Sequence, residues 1–157
     1  MTNRRAVFVL GVILVQGCRL LATESTSQPN AEVSKNVPRA QVWEALRDAF
    51  ERSTEGLGGN QAQEPRRITA RRVEEYGFGY TCEYQSSRLQ PTFQFRQIAR
   101  STNESYPSIG GTTHRVVMYG DSGFKLDLIY FGRDQQAAEM FSEALTVLAY
   151  KDRRGIK

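Results

Sequence analysis

One histidine and two cysteines in 157 residues are too few ligands for a His-rich or Cys-rich metal cluster or a zinc ribbon, and too few thiols for a disulfide framework. The chain also lacks an apolar run near the ~20 residues that a helix needs to span a bilayer. Its apolar stretch, Ala6 to Val15, is stopped by Gln16 and Arg19. Strong net charge is missing as well: the formal total is +4. What is present, 39% hydrophobic and 24% charged residues, is the composition of a soluble globular body. The length suits one domain with extensions rather than two comparable domains.

The first eighteen residues fall into three zones. A basic start, Asn3-Arg4-Arg5, is followed by the apolar run Ala6 to Val15 and then by Gln16-Gly17-Cys18, which is the layout of a bacterial secretory signal. Cleavage after Ala22 would place Leu20 where a small residue is needed. Val15-Gln16-Gly17-Cys18 instead resembles the lipobox of bacterial lipoproteins, with Gln16 standing where a small residue is usual. The resemblance implies that residues 1–17 are removed and that Cys18 becomes a lipidated first residue. Several acyl chains hold firmly, since each buried methylene contributes about 0.8 kcal/mol. Arg19, where an aspartate would retain such a protein at the inner membrane of a Gram-negative cell, implies an outer-membrane anchor facing the periplasm. Loss of Arg4 and Arg5 leaves 19 basic against 17 acidic residues, net +2. An exported protein with that balance is expected to meet the membrane and an envelope protein partner, and no nucleic acid.

Residues 18–37 are expected to be the lipidated cysteine and a flexible tether, because Thr23 to Asn30 are small, polar and without period. About twenty such residues reach on the order of 25 Å. A single α+β domain is expected over 38–154. Val42, Trp43, Ala45, Leu46, Ala49 and Phe50 predict an amphipathic helix over 38–53. Strand composition follows in Ile68 to Val73, in Tyr76 to Tyr84 and at Phe93 and Phe95. Ser101 to Thr112 reads as a long loop, and a hairpin follows, with Arg115 to Tyr119 and Phe124 to Phe131 around Gly120-Asp121-Ser122-Gly123. Ala137, Ala138, Phe141, Ala144, Leu145 and Leu148 share one face of a helix over 134–150. The expected fold is an antiparallel sheet of about five strands with an N-terminal and a C-terminal helix packed on it. The stretch 93–150, a hairpin and then Phe131-Gly132-Arg133-Asp134 leading into the helix, is similar to the end of pleckstrin-homology-like domains. That likeness implies a partly open barrel closed by the last helix.

Candidate chemistry is sparse. Gly120-Asp121-Ser122-Gly123 resembles the nucleophile segment of chymotrypsin-like proteases over four residues, yet His114 lies in the same expected hairpin and Phe124 replaces a glycine. Glu74, Glu75, Glu83, Asp121 and Asp127 form no evident pair for glycoside chemistry, and all are expected to face solvent. Arg66, Arg67, Arg71 and Arg72 are either an edge strand guarded by charge or an anion-contacting strip. Eleven of the sixteen aromatics lie between Tyr76 and Phe131, where a sheet core or a ligand groove would use them. Tyr106, in the expected loop, is a candidate ligand contact. Cys82, in phase with Tyr80 and Tyr84, is expected to be a small buried side chain. Nothing calls for a metal or cofactor. The expected function is a non-enzymatic binding or assembly domain on a lipid anchor. The alternatives are a small envelope enzyme acting on cell wall or lipid, or a carrier of a lipid or small apolar ligand.

Overall fold

In a computed structural model of the chain, the residues described are 36–59, 64–84 and 86–156. The expected signal segment, Cys18 and all but the end of the expected tether lie outside them. Val37 already packs against the core.

Helix α1 (Arg39–Glu51) turns Val42, Leu46, Ala49 and Phe50 inward, at the three- and four-residue spacing that the sequence predicts. Pro38 occupies the position before its first turn. After it come β1 (Glu55–Gly56), β2 (Arg66–Glu74), β3 (Gly77–Tyr84), β4 (Ser87–Leu89), β5 (Thr92–Gln94) and a short 3-10 turn (Phe95–Gln97). Then follow β6 (Arg100–Ser108), β7 (Gly111–Tyr119), β8 (Lys125–Gly132) and helix α2 (Gln135–Arg154). All pairings are antiparallel, in the order β4-β3-β2-β1-β8-β7-β6, with β5 added beside β3. The sheet stays open, with β6 at one end and the short β4 and β5 at the other. The α+β class and both helices are as expected. The strand count is eight rather than five.

The largest difference is β6. The segment RSTNESYPS carries asparagine, serine and proline and little apolar surface, which gives it loop composition. It is nevertheless a nine-residue strand, because every residue has a partner on β7, from Arg100 with Tyr119 to Ser108 with Gly111. Cross-strand pairs rather than propensity hold it. Gly110 and Gly111 adopt φ of 91° and 139°, a backbone region that only glycine enters freely, and they supply the turn.

Both helices cover one face of the sheet: α2 lies against β6, β7 and β8, and α1 lies against α2 and β2. Between them the aromatics form a packed core. Phe141 meets Phe50, Phe78 and Phe131 at ring-centroid separations of 5.4, 5.6 and 5.3 Å, and Phe78 continues to Phe93 and Phe95. Asp134 ties the helices together at the sheet end. Its carboxylate accepts from Ala137 N at 3.0 Å, which caps α2, and from Arg52 Nε and Nη2 at 2.7 Å, just past the end of α1. Gly155, with φ of 63°, ends α2 and lets Ile156 N reach Lys151 O.

Phe141→Ala would open a cavity among three rings that cannot collapse together. It should lower unfolding stability by about 3–5 kcal/mol, read as a reduced urea midpoint at unchanged slope.

Candidate functional site

The positions singled out by sequence separate in the fold. On β2, Ile68 and Val73 stand opposite buried Cys82 and Phe78. Arg66 and Arg71 therefore share the helix-facing side, and Arg67 and Arg72 the other. A bulge between Ile68 and Ala70 divides the set. Nor is β2 an edge strand. It runs beside β3 throughout and meets β1 at its start, and α1 takes up its remaining side. There Trp43 Nε1 donates to Glu74 O at 2.8 Å and Arg39 Nη2 to Glu75 O at 2.6 Å. Arg71 is half-buried and holds the end of α1, donating from Nε to Ser53 Oγ at 2.9 Å and from Nη2 to Ser53 O. Arg66 donates to Ser87 Oγ at 2.7 Å. Arg67 sits across the sheet between Glu55 and Glu83.

Tyr106 lies on a strand rather than in a loop. Its ring meets Tyr130 edge-on at 6.4 Å, and the Arg115 guanidinium stands 5.0 Å from its centroid, itself held by Glu104 at 2.7 Å. It belongs to a small apolar cluster on the sheet face away from the helices, with Leu57, Val117, Leu128 and Tyr130. Ser122 is in the exposed β7–β8 turn, whereas His114 is buried, the fourth of nine residues in β7, with Nδ1 3.0 Å from Ser105 Oγ. The two are not brought together. Cys82 is buried and free, and burial pushes its thiol pKa up.

Asp127 departs from expectation. Glu74, Glu75, Glu83 and Asp121 are exposed, but Asp127 has 0% exposure and faces the core. The segment Lys125–Gly132 is apolar on both faces because the second cluster covers its outer side, so no alternation marks which way the carboxylate points. Tyr80 Oη donates to Asp127 Oδ2 at 2.5 Å, Leu128 N donates to Oδ1 at 2.8 Å, and Gly58 N donates to Tyr80 Oη at 2.7 Å. Burial lifts the Asp127 pKa to about 6, against the pull of Tyr80 and the N–H groups of Leu128, Gly59 and Leu57. Burial and the adjoining carboxylate push the Tyr80 hydroxyl far above its usual range, so it remains a donor.

A concave feature lies elsewhere, where the start of α1, the β2–β3 turn, the segment after β5 and the end of α2 meet. It is a groove of about 640 Å³ lined by three cations, Arg39, Arg96 and Lys151, by two acids, Glu75 and Asp152, and by Tyr76, among others. Arg39 pairs with Asp152, and both side chains are largely covered, at 17% and 8% exposure. Its guanidinium also stands 5.4 Å from the ring of Tyr76, which is 60% exposed at the rim. Arg96 is steered by Gln94 Oε1 at 2.8 Å. Lys151 is only 1% exposed, and burial first, then the Arg39 charge, pushes its pKa down. Among the described residues no carboxylate or hydrogen-bond acceptor pairs with its ammonium group. Asp152 is taken up by Arg39, so Lys151 stands beside that pair as a further cation without a carboxylate of its own. Sequence reading missed this set. The available signal was Lys151 itself, which continues the apolar spacing of Ala144 and Leu148.

Among the described residues no cluster of His, Cys, Asp or Glu could hold a metal ion, and no helix is long and apolar enough to cross a membrane. No protein-family model and no curated protein matches the chain. The crystal structure of ChuX is similar over 74% of this chain and 75% of that one, at 13% identity and a TM-score of 0.35. A likeness that slight carries no argument.

Because the Asp127 pKa lies above the carboxylate value of an unfolded chain, the folded state holds its proton more tightly. Stability from this group is full below about pH 4 and falls as pH rises to about 6, by at most ~3 kcal/mol. Unfolding free energies measured from pH 4 to 7 should show this slope, and Asp127→Asn should flatten it. Tyr80→Phe removes a bond to a buried charge and strands Gly58 N, at a cost of about 2–4 kcal/mol.

Proposed function

We propose that this chain is a lipid-anchored protein of the bacterial envelope whose α+β domain is a non-enzymatic binding module, taking an anionic group of its envelope partner in the helix-end groove. The anchor rests on Val15-Gln16-Gly17-Cys18 behind a short apolar run. The binding half rests on Lys151, a covered cation beside Arg39, whose own carboxylate partner is Asp152. Such a site gains from an incoming anion because, among the described residues, no carboxylate compensates the Lys151 charge, whereas Arg39 is already paired with Asp152. Arginine's fork and the lysine point charge both suit carboxylate and phosphate groups.

The alternatives have less behind them. A carrier needs an apolar cavity, whereas the aromatics that could have lined one are in ring-to-ring contact. An enzyme using Ser122 and His114 needs them within hydrogen-bond reach, whereas His114 is buried within β7 and bonded to Ser105, and Ser122 is in the exposed turn beyond the strand's end.

Intact mass and detergent partitioning, compared with Cys18→Ser, test the anchor. A species beginning at Cys18 with added acyl mass is expected, and an unprocessed soluble chain would refute the address. The groove has its own readout in the sole tryptophan, Trp43, one turn from Arg39. Titrating the full chain in neutral detergent with phosphate or citrate should shift its emission saturably. Lys151→Gln should weaken that response about tenfold, equivalent to ~1.4 kcal/mol. Identical titrations of the two proteins would rule the groove out as an anion site.

A further inference from the structure

The two ends of the sheet are finished differently. At one, β4 and β5 are three residues each, and further in, the side of β2 that extends past the short β1 is taken up by Trp43 and Arg39 of α1. Short strands and a covering helix are ordinary ways of blunting an edge. At the other stands β6, nine residues in unbroken register with β7 and with no strand on its far side among those described. Its row of unpaired backbone N–H and C=O groups is a template for another strand. Mid-strand, Thr102 Oγ1 and Asn103 Oδ1 are buried with no hydrogen-bond partner. Buried polar atoms of this kind are uncommon in folded proteins, and here both fall on the one long open edge.

We propose that β6 pairs antiparallel with β6 of a second copy of this chain, with the two-fold axis at Asn103, joining two sheets into one. In this register each Asn103 lies opposite the partner's Asn103, so either amide can donate Nδ2–H to the other's Oδ1. Thr102 lies opposite the partner's Glu104, whose carboxylate can accept from the threonine hydroxyl. Arg100 lies opposite the partner's Tyr106, a ring that already bears Arg115 on its own chain. Both residues therefore face a group of the right polarity, which Thr102 Oγ1 and Asn103 Oδ1, covered within the single chain, reach by side-chain rotation at the new interface. Neighbouring registers do worse. An axis at Glu104 sets two carboxylates against each other. An axis at Thr102 places Asn103 opposite Ser101, whose hydroxyl is already engaged by Ser142 and Thr146 of α2. A dimer of this kind needs no apolar face: its gain comes from ladder hydrogen bonds and from polar pairs that the single chain leaves open.

The test uses the full chain, extracted from bacterial membranes in neutral detergent. Light scattering coupled to size exclusion should give the protein mass of two chains. Under mild oxidation, Asn103→Cys should cross-link most of the protein on a non-reducing gel, while Thr102→Cys and the unaltered chain, whose Cys82 is buried, should not. Asn103→Asp, which sets two carboxylates across the axis, should give one-chain mass near pH 7 and two-chain mass near pH 4. A one-chain mass for the unaltered protein overturns the proposal, whether the edge is bare or capped by the chain's own N-terminal segment. So does preferential cross-linking through Thr102→Cys, or an Asn103→Asp dimer indifferent to pH.

Discussion

A carboxylate without exposed surface, set on the apolar side of a central strand, constrains much of this domain. Asp127 must find donors inside the protein, since an unpaired buried charge costs several kcal/mol. Tyr80 reaches it from β3, three strands away in the sheet order, with β2 and β1 between. Tyr80 in turn accepts from Gly58 N, so the segment after β1 is drawn over the same point. Gly56 completes the arrangement, because a Cβ there would strike the Tyr80 ring. One buried charge thereby links β8, β3 and the β1 connection. The two-residue β1, too short to hold a register by its own ladder, owes its place partly to that link.

How much of this was legible in the sequence depends on what carried each element. The helices were, because α1 and α2 bury one stripe each and the apolar spacing marks it. So were β3 and the β7–β8 hairpin, where apolar strands flank a glycine-rich turn. β6 was hidden because its stability comes from its partners on β7 rather than from its own composition. β1 and β4 were hidden because two and three residues carry no periodicity. Asp127 was misplaced for a different reason: β8 is covered on both sides, so hydrophobicity along it does not alternate. The groove lay beyond sequence reading because Arg39, Tyr76, Arg96 and Lys151 come from four distant segments that only the fold brings together.

The arginines illustrate how composition and availability part. Several are spent inside the domain: Arg52 on Asp134, Arg71 on Ser53, Arg115 on Glu104 and Tyr106, and Arg153 on Asp121. Arg100 lies 4.1 Å from the centroid of Tyr119, with its charge directed at a ring. Cations committed in this way hold helix ends and strand pairs in place. Engaged in this way they contribute less to a field that would draw in a polyanion than free cations would. The dense pair of doublets on β2, the most basic stretch of the sequence, is divided between two faces and partly consumed by α1.

Against that background Lys151 stands apart. Its position in the last turn of α2 suits a cation, since the carbonyl end of a helix favours positive charge. Arg153 and Arg154 could serve that end while remaining exposed, whereas Lys151 is turned inward beside Arg39, where a neutral side chain would pack at less electrostatic cost. Asp152, adjacent on the helix, is already engaged by Arg39. The groove therefore keeps a positive charge that helix capping does not require and that internal pairing does not relieve. A charge in that position gains free energy when an anion enters, which is why the proposed binding function is assigned to the groove rather than to the arginine-rich strand.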